Sequence, residues 1–284
     1  SLNVMGPFGQ LSLGKIGAIT QGTSSWGKVG AVSAFGTSYG AANVGNATNV
    51  FAATVGVMDN TIAYQTPKFA GFTVYAQYSM GSSKAATKDS TGGWASNTQV
   101  ENESSTDRYY ALGATYVNGP VNLYFAVDSV NYASYFDKNV NAVPNVDDSL
   151  TVAFGGSYDF SVVKVFAGAQ YFDEVLVGKV SGLSNVGLDL LKNKMEGYAL
   201  QASASAPLAG GTGYFGVGYV DASEADSVAA SDAFDIKYYV ASVGYKYDLS
   251  KRTNVYGVLS YAKGDQDVTT ASATVYDRKP SMVG

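Results

Sequence analysis

Apolar and polar positions alternate with a period of two along most of this chain, in stretches close to ten residues long. In 71–80 one parity carries Phe72, Val74, Ala76 and Tyr78, and the other Thr73, Tyr75, Gln77 and Ser79. In 120–128, Val121, Leu123, Phe125 and Val127 alternate with Asn122, Tyr124, Ala126 and Asp128. The stretch 149–158 sets Leu150, Val152 and Phe154 against Thr151, Ala153 and Gly155. In 196–205, Tyr198, Leu200, Ala202 and Ala204 alternate with Gln201, Ser203 and Ser205. Successive side chains of an extended strand point to opposite faces, so each stretch predicts a strand with one apolar and one wet side. Similar stretches near 8–15, 60–66, 107–117, 162–173, 211–221, 234–247, 252–262 and 274–284 bring the expected total to about twelve. Helix is nearly absent; a turn or two over 185–193 is the one candidate.

The connections carry as much information as the strands. Short ones with turn residues fall at 66–71, 118–120, 159–161, 206–211 and 248–251. Long polar ones fall at 16–59, 81–106, 129–148, 174–194, 222–233 and 263–273, and the two kinds alternate strictly. A meander with its tight turns at one rim and its long loops at the other gives that order. Transmembrane β-barrels of bacterial outer membranes are built this way. Lipid offers no partner to an unpaired backbone group, so a sheet that crosses a membrane must close on itself.

Aromatic residues gather beside the turns: Phe69 and Phe72, Tyr109 and Tyr110, Tyr158 and Phe160, Tyr171 and Phe172, Tyr245 and Tyr247. Strand propensity alone favours aromatics, but placement at strand ends fits the girdles a barrel wears at headgroup level. A soluble β-sandwich is the competing fold. Its core needs tightly packed Ile, Leu and Val, whereas the apolar parity here is rich in Ala, Gly and Tyr, which suits a lipid-facing wall.

Composition sharpens the choice. Of 284 residues, 46% are hydrophobic and 14% charged, where a soluble domain carries about 25% charged residues. Mean hydropathy is close to zero, and no run of ~20 apolar residues marks a membrane helix. Cys and His are both absent, so disulfides, thiolate or imidazole metal sites and the usual nucleophile–base pairs are unavailable. Ser and Asp are plentiful but have no histidine to activate them, so an enzyme is not expected and no cofactor is implied. A net charge of −5 argues against a nucleic-acid partner. Residues 29–58 contain no charged side chain, unlike 81–107 with Lys84, Lys88, Asp89, Glu101, Glu103 and Asp107. Small, apolar and hydroxyl residues in that mixture suit a loop that folds inward against a barrel wall.

The pieces MGPFGQLSLGKIG (5–17), MDNTIAYQTPKFAGFTVYAQYSMG (58–81) and YDLSKRTNVYGVLSYAKGD (247–265) resemble the Gram-negative general porins. The resemblance implies a trimeric, all-β, up-and-down transmembrane barrel of sixteen strands whose third extracellular loop folds into the pore. On that pattern 8–15 corresponds to the fifth family strand, and 16–59 to the constriction loop of a single domain over 1–284. The chain is then expected to be a fragment, short of about four strands in front and a few residues behind; a complete twelve-stranded barrel is the alternative. The implied function is passive diffusion of ions and small hydrophilic solutes across the outer membrane, with membrane lipid and a homotrimer as partners.

Lys15 stands at a family basic position, while Val57 and Ala63 occupy places where the family carries arginine. Alternation adds Asp128, Lys164 and Lys246 to the candidate pore lining. On the loop the candidates are Trp26, Lys28, Phe35 and Asp59. With so few charges the transverse field at the constriction is expected to be weak. A channel specific for a substrate such as a sugar is the second reading, with Tyr64, Tyr75, Tyr124 and Tyr256 as its aromatic stripe. A purely structural or adhesive barrel is a third.

Overall fold

The computed structural model describes residues 1–20, 26–28, 33–36, 50–51, 57–80, 108–131, 147–176, 194–225, 232–270, 275–278 and 281–283, with backbone alone at 232–234 and from 265 onward. Its strands are β1 (Leu2–Gly6), β2 (Gly9–Gly17), β3 (Val57–Gln65), β4 (Phe72–Ser79), β5 (Arg108–Asn118), β6 (Val121–Asn131) and β7 (Ser149–Asp159). There follow β8 (Lys164–Leu176), β9 (Lys194–Leu208), β10 (Gly211–Glu224), β11 (Asp232–Ser250), β12 (Thr253–Thr270), β13 (Val275–Arg278) and β14 (Ser281–Val283). Each pairs antiparallel with its sequence neighbour from β1 to β13, and β14 also pairs with β12. This is the expected all-β meander, with tight turns at one end and long connections at the other. Among the described residues no ladder joins β1 to β13 or β14.

Three differences from the sequence reading have simple causes. First, β1 precedes the expected first strand, pairing Leu2 with Leu13 and Gly6 with Gly9. Four alternating residues before Gly-Pro are too few to register as a pattern. The turn works because Gly9 has φ +105°, and a β-carbon there would stand 2.1 Å from the Gln65 carbonyl oxygen. Second, β10, β11 and β12 run well into the expected loops 222–233 and 263–273. Those ends carry mostly small or polar residue types, so apolar–polar alternation is silent there although the backbone ladders continue. Third, the expected last strand is divided into β13 and β14. The helical turn expected over 185–193 lies outside the described residues.

The two faces of the sheet have inverted chemistry. On β6, Leu123 and Phe125 are exposed while Tyr124, Ala126 and Asp128 are buried. On β7, Phe154 is 59% exposed, and Thr151 and Ala153 are buried. The exposed outer face carries Leu112, Leu123, Phe125, Phe154, Leu200 and Phe215; the buried inner one carries Ser12, Thr61, Gln77, Thr151, Gln170, Gln201 and Ser260. A sandwich in water would have the opposite arrangement. Aromatic pairs on the outer face mark both ends of its apolar band. Phe72–Tyr116 (4.6 Å) and Tyr158–Phe160 (4.5 Å) lie near the tight turns, and Tyr78–Tyr110 (5.2 Å) and Tyr219–Tyr239 (4.8 Å) near the long connections. Tyr109 and Phe172 do not belong to the girdle: both are buried on the inner face, because the next residue in each pair, Tyr110, and the preceding one, Tyr171, take the outward parity.

Candidate functional site

Residues 16–17 and 57–59 of the expected loop belong to β2 and β3, Asp59 included; the described residues between those strands, 18–20, 26–28, 33–36 and 50–51, are held against the inner face at two places. At the first, the side-chain amide of Gln77 on β4 imitates a strand partner. Ile19 N–H donates to its Oε1 at 2.9 Å, and its Nε2 donates to the Gly17 carbonyl at 3.0 Å. Asp128, 1% exposed, accepts from Thr20 Oγ1 at 2.5 Å, from Tyr109 OH at 3.0 Å and from the Thr151 hydroxyl. A buried carboxylate is tolerable only with such donors. Lys28 N–H donates to the Ile19 carbonyl at 2.9 Å, closing the backbone over this cluster. Trp26 meets the ring of Tyr75 edge-on at 6.2 Å, and Lys28 Nζ stands 4.7 Å above the same ring. Burial without a compensating charge pushes the Lys28 ammonium below its ordinary pKa. Among the described residues no carboxylate forms an ion pair with it.

The second hold lies on β9 to β11. Ala34 N–H donates to Ser203 Oγ at 2.8 Å. Phe35, buried, packs 5.8 Å from the Tyr214 ring, and Val50 is buried against the same strands. Three inward glycines, Gly216, Gly218 and Gly244, make room for these side chains.

Lys15, Asp59, Lys164 and Lys246 lie apart from the contacts that make the two holds. Lys15 Nζ and Asp59 Oδ1 form an ion pair at 3.3 Å, the lysine 66% exposed. Asp59 and Asn60 together oppose Lys15 in a bulge between the Gly14–Thr61 and Ile16–Met58 pairs. Lys15 shares the strand parity of Leu11 and Leu13, the outward one. Lys164 and Lys246 take the inward parity close to the tight turns. Lys164 Nζ lies 5.2 Å from the Phe166 ring, and Lys246 pairs with Asp248 at 3.5 Å. Of the tyrosine stripe, Tyr64 is on the outer face with its hydroxyl on the Phe8 carbonyl, and Tyr75 and Tyr124 are buried. Tyr256 alone of the four is both inward in parity and exposed.

Residues 1–267 match the family of Gram-negative porins. The chain belongs to that family. This porin is 30% identical over 248 residues to an outer membrane porin protein of Bordetella pertussis, covering 83% of this chain and 59% of that one. It is 28% identical over 213 residues to outer membrane porin protein 32 of Delftia acidovorans, covering 75% and 48%. The porin chain thus spans about half the length of these relatives. Its fold is shared by solved structures, among them the following two. An anion-selective porin from Comamonas acidovorans has TM-score 0.60 at 20% identity, covering 99% of this chain and 73% of that one. The outer-membrane OmpT of Vibrio cholerae has TM-score 0.57 at 15% identity, covering 99% and 76%. The family is one of outer-membrane channels rather than enzymes, and the apolar outer face of this porin is a surface for that membrane.

Several residues that shape the porin's inner face escape sequence reasoning. Gln77 and Thr20 look like any wet-parity or loop residue until their partners are known. Lys194 and Glu174, 4% and 7% exposed, form a buried ion pair at 3.4 Å at the long-connection end, and Lys194 also donates to the Asp147 carbonyl. Both fall in the expected loop 174–194, where charges read as solvated.

Proposed function

We propose that this porin is a general diffusion channel, passing ions and small hydrophilic solutes through a water-filled lumen, with residues 16–59 as its inward-folded constriction loop. The observation that carries this reading is the attachment of Ile19, Thr20 and Ala34 to inner-face side chains of a sheet whose other face is apolar. Side chains of a passive pore act by narrowing the path and by their fixed charge. Trp26 and Phe35 fill space on the loop; Lys28 contributes charge there, and Asp59 ends it. Lys164 and Lys246, inward in parity, contribute on the wall; Lys15, outward in parity and paired with Asp59, is not part of the lining, and Asp128 serves the loop's attachment beneath it. In this reading the working assembly is a trimer. One of the structures that share the fold is itself a trimer form.

A preference for anions is the second reading, favoured by Lys28, whose ammonium stands on the loop while the carboxylate of Asp128 is covered. Planar-bilayer recording of the full-length protein, with reversal potentials in a salt gradient, decides between them. A large open conductance with a small reversal potential supports general diffusion, and a strongly anion-signed potential supports the second reading. Strong cation selectivity contradicts both, and absence of conductance contradicts channel function itself.

A further inference from the structure

The two holds on residues 16–59 differ in kind: the first is built from polar side chains, the second from the absence of side chains. Gly216 and Gly218 on β10 and Gly244 on β11 share the inward parity with Val220, Val240 and Ser242, so they leave a hollow in an otherwise covered wall. A β-carbon at Gly218 would stand 2.5 Å from Val50 Cγ1. One at Gly216 would stand 2.9 Å from Phe35 Cε2, and one at Gly244 3.1 Å from Phe35 Cε1. Phe35 and Val50 therefore lie directly on the strand backbones. The void left between them and the wall is only about 10 Å³, roughly one water probe in size. Glycine inside a strand weakens it and marks a place where another group comes close; here that group is the loop.

We propose that Gly216, Gly218 and Gly244 set the bore of the channel, by letting Phe35 and Val50 sink into the wall and so holding the backbone at those two residues back from the water path. The proposal rests on the reading of residues 16–59 as the constriction loop. The glycines act as positioning residues: they touch the loop, not the permeating solute. Val50 is β-branched and stiff at χ1, so it cannot swing away from an added methyl, and the backbone carrying it must move toward the lumen.

The test uses Gly218→Ala, Val50→Ala and their combination in the full-length protein. Gly218→Ala is expected to lower single-channel conductance, and adding Val50→Ala to restore most of it, since two of the three atoms nearest the new methyl are the Val50 methyls and the third is Val240 Cγ1 of the wall at 2.9 Å. A second measurement reads the seat without conduction. This chain has no cysteine of its own, so Ala34→Cys with Ser203→Cys gives a disulfide that reports docking. Its yield is expected to fall about tenfold on adding Gly218→Ala, equivalent to about 1.4 kcal/mol, and to recover with Val50→Ala. Unchanged or raised conductance in Gly218→Ala, or a fall that Val50→Ala does not reverse, would overturn the proposal while leaving the porin reading intact. A docked, cross-linkable loop in a protein that conducts nothing would instead overturn the porin reading, and the bore proposal with it.

Discussion

Thr20→Val isolates the bond between the loop and the buried carboxylate. The substitution keeps the branched shape and removes one hydroxyl, which donates to Asp128 Oδ2 at 2.5 Å. A hydrogen bond to a charged group contributes about 1.5–3 kcal/mol. Asp128 retains the Tyr109 and Thr151 donors, so it is not orphaned, and the loss belongs at the lower end, about 1.5–2 kcal/mol. That shifts the balance between attached and detached loop by roughly 10- to 30-fold. Hydrogen exchange followed by mass spectrometry reads this directly at two amides. Ile19 N–H is held by Gln77 and Lys28 N–H by the Ile19 carbonyl. Both should exchange 10- to 30-fold faster, by the local opening such a segment permits, while amides in the β8–β9 ladder keep their rates. Unaltered exchange at Ile19 would show that Thr20 does not hold the loop. Acceleration throughout the sheet would show that the hydroxyl supports the wall instead.

Three further outcomes follow from the same geometry. Lys28 has its pKa lowered by burial, so the folded protein disfavours its charged form: attachment of the loop is weakest below that lowered value and tightens as pH rises through it toward 10.5. The anion share of the current should fall over the same interval, and Lys28→Gln should show the reduced share already at neutral pH; reversal potentials that track pH identically in both proteins would refute this. Lys194→Met leaves Glu174 buried without its ammonium, which should cost about 3–5 kcal/mol, and adding Glu174→Leu should recover most of it. Urea unfolding in detergent measures both, and a silent single variant would refute the ion pair's role. Phe154→Arg sets a guanidinium in the outer apolar band and should weaken folding into bilayers by about 2–4 kcal/mol; in folding titrations with lipid vesicles, an unaffected variant would mean that this face does not meet lipid.

Most of the wall was legible in the order of residues. The run Leu123, Phe125, Val127 against Tyr124, Ala126, Asp128 states a strand and its two faces, because the strand repeat is two and only one solvent, oil or water, meets each side. The strict exchange of short and long connections states the meander. Legibility stopped at the far ends of the longest ladders. Beyond Asp221 and Ala262 the residue types are mostly small or polar at both parities, so the sequence no longer alternates although backbone pairing continues to Glu224 and Thr270. It also stopped at neighbouring aromatics: Tyr109 and Tyr110 are the same residue type, and only the register decides which one meets lipid and which one donates to Asp128.

The candidate site divides the same way. Sequence alone determined that residues 16–59 carry little charge and much Gly, Ala, Ser and Val, and that Asp128 belongs to the wet parity. These are local properties, fixed by the type of each side chain and its place in a two-residue repeat. The tertiary structure decided that Thr20 finds Asp128 across 108 positions, and that Ala34 finds Ser203 across 169. It decided too that the glycines of β10 and β11 form a seat instead of a weakness. Contacts at that separation depend on how the whole sheet curves round the segment, and neither partner carries a trace of the other in its own neighbourhood.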